Sequence, residues 1–351
     1  MGMYRGAGIC LFLASLAGAQ TMMTLPEASQ QASVSQRLGV TEITINYHRP
    51  LVGGRKVWGG LVPYGQVWRA GANENTTFQV TDPITVEGKP LPAGTYGLHM
   101  MPGTDSWEII FSKNSTSWGS FTYDKAEDAL RVTVKPQSTD FHDALTYDFD
   151  AVKPGSAVVT LRWEKLAVPF SVAVDTIDAT LRNLRRELRG GKQYNWTGWD
   201  EAANFCLQNK TNLDEGLHWA DLSIQNEERF ENTMTRAGLL EALNRGTDAK
   251  AAYDHAMKIG NATQIYFFGR QMQAEKRDAL AMAAFGTVAT RFPDLWFGHL
   301  AQARVDAAAG KFDDAAKHLL AALASGGVPD ASKAAVEGYL KKAQAGQDFN
   351  R

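Results

Sequence analysis

The strongest constraint on this chain is a change of period at Val174. Up to that residue, apolar side chains recur at every second position. Beyond it they recur at steps of three and four. A strand buries alternate side chains and a helix buries one stripe, so the two patterns need two different cores. With 351 residues there is room for both. The expectation is an α+β multidomain protein, with an antiparallel β-sandwich over 33–174 and an all-α array of helical hairpins over 175–351.

The alternation is plain in Thr41 to His48, where Ile43, Ile45 and Tyr47 share one face while Thr44, Asn46 and His48 share the other. It recurs through Phe78, Leu98, Ile109, Val132, Tyr147, Leu161 and Phe170. Turn residues separate these runs at Glu87-Gly88, Pro92-Ala93-Gly94, Pro102-Gly103 and Lys153-Pro154-Gly155. Short strands at this spacing, with no helical pattern between them, predict a sandwich or barrel.

One loop stands out. Tyr47 to Thr76 reads YHRPLVGGRKVWGGLVPYGQVWRAGANENT. Large aromatic and cationic side chains are costly to order, so a loop rich in them is either packed down or reads a ligand. Guanidinium groups beside indoles suit carboxylates, phosphates and sugar rings. The candidate ligand-binding residues are His48, Arg49, Arg55, Trp58, Tyr64, Trp68, Arg69, Asn73, Glu74 and, from a later strand, His99. The competing reading has the tryptophans plugging the end of the sandwich while the arginines cap carbonyls.

His48 and His99 lie opposite the apolar stripes of their strands. With Glu74 they sketch a metal or acid–base site, and hence a hydrolase as the alternative function. Two solvent-facing histidines on different sheets is the plainer expectation. The chain holds no G-x-S-x-G, H-E-x-x-H, G-x-x-x-x-G-K-[ST], G-x-G-x-x-G or C-x-x-C pattern. No catalytic set, metal or cofactor is therefore assigned, and an enzyme is disfavoured.

Residues 33–174 resemble the bacterial family catalogued as domain of unknown function 2911. The resemblance rests on Arg49-Pro50, Gly54-Arg55, Trp58-Gly59, Leu61 to Gly65, Val67-Trp68-Arg69 and Gly71 to Glu74. It continues in Leu91 to Tyr96, Trp118-Gly119, Asp128 to Val132, Leu161 to Glu164 and Val168 to Phe170. Ala70 stands where the family usually has Thr. The resemblance implies a domain boundary and no chemistry.

After Val174, Ile177, Leu181, Leu184 and Leu188 form a helical stripe that Asp175 can cap, with Arg182, Arg185, Arg186 and Arg189 on the other faces. Helical patterns continue with breaks near Gly246, Gly260, Pro293, Gly310 and Gly326-Gly327. The stretch Ala303 to Pro329 resembles a tetratricopeptide repeat, and two weaker copies precede it, with a loosely kept period near 34 residues. That resemblance implies a groove for an unidentified protein or peptide partner, or else a purely structural scaffold. Cys206 falls at an apolar helical position and reads as a small buried hydrophobe.

At the N-terminus, Arg5 precedes the apolar run Ala7 to Leu16 and the small residues Ala17-Gly18-Ala19. This reads as a secretory signal peptide over 1–19, followed by a flexible tail over 20–32. Localisation is then exported, periplasmic or extracellular. Beyond the signal no run is long enough to span a bilayer. A formal net charge of −2 argues against nucleic acid as a partner. The expected function is a non-catalytic binding module, with a small polar or glycan-like ligand on the β-domain and a protein on the helices.

Overall fold

The computed structural model describes residues 26–350, which divide into two units, one ending at Ala179 and the other starting at Thr180. The expected signal peptide lies outside the described residues.

The first unit is built from ten strands. They are β1 Gln30–Leu38, β2 Thr41–Arg49, β3 Thr77–Val80, β4 Ile84–Val86, β5 Lys89–Leu91, β6 Gly94–Met101, β7 Trp107–Ser112, β8 Asp128–Val134, β9 Gln137–Lys153 and β10 Ser156–Ala173. One antiparallel sheet has the order β1-β2-β3-β6-β7-β8, the other β5-β4-β10-β9. Their inner faces share one core. Phe78 and Phe111 from the six-stranded sheet meet Phe170 from the other, with ring centroids at 6.4 and 6.1 Å. Tyr47 meets Tyr147 at 4.9 Å. The expected sandwich is therefore present, held by aromatic contacts across the two layers.

Two features were not read from the sequence. β1 begins at Gln30, inside the stretch expected to be tail, and pairs along its whole length with β2. Its Gln- and Ser-rich sequence buries little, so it carries no apolar signal. The runs around Leu161 and Phe170 are one long strand, β10, bent by register shifts around Glu164, whose φ is +55°.

The second unit is helical. Asp175 caps α1 (Thr176–Glu187), accepting the Asp178 amide at 3.0 Å. Within α1, Ala179 rather than Ile177 takes the buried place before Leu181 and Leu188. The basic face is partly paired, with Arg185 held by Glu215 at 2.7 Å. Then follow α2 (Trp196–Asn209), α3 (Leu213–Asn226), α4 (Phe230–Ala242), α5 (Gly246–Ile259), α6 (Ala262–Ala274), α7 (Asp278–Arg291), α8 (Trp296–Ala308), α9 (Phe312–Ala324) and α10 (Asp330–Gln344).

Every second helix starts at Trp196, Phe230, Ala262, Trp296 and Asp330, so successive pairs begin 34, 32, 34 and 34 residues apart. The tetratricopeptide period is kept closely, through four hairpins and a last helix. Small residues set the helix approach: a Cβ on Gly216 would lie 2.6 Å from that of Cys206, and one on Gly269 2.7 Å from the Phe285 ring. Cys206 is fully buried, and burial pushes its thiol up to about 11. It packs as a hydrophobe, as its position suggested.

Candidate functional site

The aromatic loop mostly faces inward. Trp58 lies at the centre of an indole cluster, with Trp107 at 4.9 Å, Trp163 at 5.6 Å and Trp68 at 5.9 Å. Trp68 stacks on Trp163, and its Nε1 donates to the Gly71 carbonyl at 3.1 Å. These rings close one end of the sandwich core. Arg49 Nε donates to the Leu145 carbonyl at 3.0 Å. Arg55 Nε donates to the Val52 carbonyl at 3.1 Å, and its Nη2 to that of Leu51. Tyr64 stays exposed and covers Gly59. Arg49, Arg55, Trp58 and Trp68 therefore serve the packing of the loop.

A different subset gathers at the end of β2. His48 is only 8% exposed, and its Nε2 lies 3.3 Å from carboxylate oxygens of both Glu27 and Glu74. Asn73, at φ +55°, turns the chain so that its Nδ2 donates to Glu27 at 2.6 Å while its carbonyl accepts from Arg69 Nη1 at 2.6 Å. Burial lowers the pKa of Arg69, and Glu74 opposes that shift.

The Arg69 guanidinium lies 5.0 Å from the Trp118 ring and 5.9 Å from Phe121. Trp118 and Phe121 stack at 5.9 Å and 12°, yet are 60% and 80% exposed. Gly119 between them has φ +77°, and a Cβ there would meet Arg69 Nη1 at 2.7 Å. Sequence reading missed Glu27, Trp118 and Phe121 as site residues, although Trp118-Gly119 had already been singled out as a motif.

The segment 113–124 carries this platform across the outer face of the six-stranded sheet. Gly97 permits the crossing, since a Cβ would lie 2.3 Å from the Asn114 carbonyl. Asn75, oriented to satisfy both partners, donates to the Ser117 and Gly119 carbonyls at 3.1 and 2.7 Å. Tyr123 ties the segment to β8 through Asp128 at 2.8 Å, and burial pushes its hydroxyl up to about 12.

This cover encloses His99, which the alternation had placed toward solvent. It is 3% exposed, with Nδ1 2.8 Å from Ser120 Oγ. Burial pushes its pKa down to about 4, and Asp128 offsets only part of that. Its contacts are thus with Ser120 and Tyr123, while Glu74 converges on His48. Both histidines are buried, and β2 and β6 belong to the same six-stranded sheet, which corrects the expectation of solvent-facing rings on different sheets. For His99 the reason is the overlying segment 113–124, and His48 is instead flanked by Glu27 and Glu74; strand periodicity registers neither.

Asp140, Asp143, Asp148 and Asp150, close in sequence, all lie within β9. Two of them pair with Arg162, Asp150 at 2.5 Å and Asp148 at 3.4 Å, in a shallow cleft of about 470 Å³ on the other sheet.

The helical unit carries an open groove of about 870 Å³. Its lining comes chiefly from α2, α4 and α6, the first helix of each hairpin. Asn204, Gln208, Gln264 and Gln271 supply amides, while Leu207, Phe230, Met234 and Phe267 supply apolar surface. Phe267 is 58% exposed. Glu241 is engaged by Arg277 at 2.7 Å.

Residues 29–172 match the family described as "Protein of unknown function (DUF2911)". The β unit is a domain of this family. The DUF2911 domain thus includes β1 and all the indole cluster. No curated protein matches the chain. Among solved structures the chain is similar to MamA, at 13% identity over 43% of this chain and 88% of that one, with a TM-score of 0.29. It is similar to YrrB, described as a TPR protein with an unusual peptide-binding site, at 15% identity, 46% and 83% coverage and a TM-score of 0.28. The APC/C hetero-tetramer Cut9-Hcn1 matches at 15% identity, with 48% of this chain, 33% of that chain and a TM-score of 0.30. The repeat architecture stands on the helix spacing.

Proposed function

We propose that this chain is an exported, non-catalytic binding protein whose helical groove holds an extended peptide segment of a partner protein. The observation that carries the reading is the alternation of the groove lining. Amide side chains on α2 and α6 flank the apolar α4 surface of Phe230 and Met234. Amides donate and accept at once, so those of Gln208 and Gln271, each bonded to a side chain four residues away, match the backbone of an extended peptide. Gln264 is held by Asn261 and Glu231, and the apolar strip takes one peptide side chain. The partner is accordingly a segment with an aliphatic or aromatic anchor and no secondary structure of its own.

The test is selection from a random peptide library on the full chain. Selected peptides are expected to lose tenfold or more in affinity with Phe267→Ala or Gln271→Ala, without a change in melting temperature. Peptides that bind both variants as tightly as the parent would place recognition elsewhere. Export is read from the N-terminal segment, and N-terminal sequencing of protein secreted into the periplasm should begin at Gln20.

A second reading concerns the DUF2911 domain. The small polar or glycan-like ligand belongs at the exposed Trp118–Phe121 pair beside Arg69, rather than at the indole cluster. Stacked aromatic faces with a neighbouring guanidinium suit a sugar ring carrying an anionic group. Glycan-array binding lost in Trp118→Ala and kept in Trp118→Phe supports it. Equal binding by Trp118→Ala and the parent overturns it.

A further inference from the structure

We propose that Glu27, His48 and Glu74 form a divalent-cation site of the transition-metal type. The inference is independent of the sugar-ring reading, because it uses neither Trp118 nor Phe121.

Three segments far apart in sequence converge here: the stretch before β1, the end of β2 and the turn before β3. One ligand atom from each lies within 4.8 Å of the other two. His48 Nε2 is 3.3 Å from an oxygen of each glutamate. With metal–ligand bonds near 2.0–2.1 Å, ligands on a tetrahedral ion stand about 3.3 Å apart. The two separations therefore match the edges of a coordination tetrahedron.

Hydrogen bonding accounts for the arrangement less well. A single Nε2 proton shared between two oxygens makes at best a weak three-centre bond to each, and N–H···O distances peak near 2.9–3.0 Å. The side chain of His48 is nine-tenths buried and is aimed at this point, while both carboxylates are more than half exposed. Two carboxylates drawn together at one imidazole nitrogen are a donor set that a doubly charged ion neutralises.

The surroundings fit the same reading. The Asn73 amide holds Glu27 Oε2 at 2.6 Å, which orients a ligand as outer-shell groups do. Three protein ligands leave at least one position open toward solvent, and imidazole with carboxylates favours Zn²⁺ or a neighbouring first-row ion over Mg²⁺. Such an open position would accept water or an anionic group. His99 takes no part, being sealed beneath Ser120 and Tyr123.

The experiment is Zn²⁺ titration of the untagged full chain after chelator treatment, followed by calorimetry, with Co²⁺ absorption as a second readout. The expected result is one saturable site, lost tenfold or more in each of Glu27→Gln and Glu74→Gln. These exposed, isosteric changes leave the fold intact, which a far-ultraviolet spectrum and melting curve would verify. Co²⁺ should give visible bands in the parent that both variants lack. Absence of saturable Zn²⁺ binding in the parent, or unchanged affinity in the double variant, overturns the site.

Discussion

The two units handle exposed-looking residues in opposite ways. In the DUF2911 domain, the loop richest in Trp and Arg turns inward and closes the core, with Arg49 and Arg55 on backbone carbonyls. In the helical unit, an unremarked set of amides and apolar groups is left open along three helices. A sandwich has an end that must be sealed, because strands stop while their core continues between the sheets. A stack of hairpins has no such end along its groove, since each pair buries its apolar stripe against its neighbours and leaves the other faces free. Residue type on a loop is thus a poor guide to accessibility, and architecture is a better one.

Substitutions can break that contrast, beginning with the largest expected effect. Trp58→Ala should cost the DUF2911 domain about 4 kcal/mol, the usual scale for a buried indole at the centre of a cluster. Chemical denaturation followed by tryptophan fluorescence would measure it. A loss under about 1 kcal/mol, on the scale of a surface substitution, would mean that the loop is not sealing the core.

Next comes acid. The folded pKa of His99, about 4 against an ordinary 6.5, means that the unfolded chain binds a proton first as pH falls. Stability from keeping this ring neutral is complete above about pH 6.5 and is lost as the pH drops toward 4, by roughly 2–3 kcal/mol in total. His99→Gln should flatten the difference between melts at pH 7 and pH 4 by that amount. An unchanged difference would show that the segment 113–124 does not enclose the ring.

Gly119→Ala should cost about 1–2 kcal/mol, because L side chains are disfavoured at positive φ. It should also displace Arg69, which a Cβ would touch. A shift in the fluorescence of Trp118 would report the displacement. At the small end, Phe267→Ala should change stability by less than about 0.5 kcal/mol despite removing an aromatic ring, as for other surface positions. A loss as large as that of Trp58→Ala would erase the distinction between a sealed and an open surface.

Much of the fold could be read from pattern. Alternation located the inner faces of β2, β3, β6, β7 and β10, and the glycine and proline turns located most of their ends. β1 escaped because glutamine and serine carry no burial signal, although the strand pairs fully with β2. The helical repeat is legible in the sequence with a looser period than the helices keep. Its helix starts are regular, but many of its buried positions are alanines, whose small size gives little contrast.

What the sequence determined unaided is the sum of local effects: period, turn chemistry, capping at Asp175 and the order of a sandwich before a hairpin array. Each depends on residues within a few positions of one another. Tertiary structure alone decided which polar groups meet. Glu27, His48 and Glu74 converge only because β1 pairs with β2 and the turn at Asn73 brings the chain back. His99 is sealed only because a segment some twenty residues later crosses its sheet. Such encounters follow from the closing of long loops, and no local pattern encodes them.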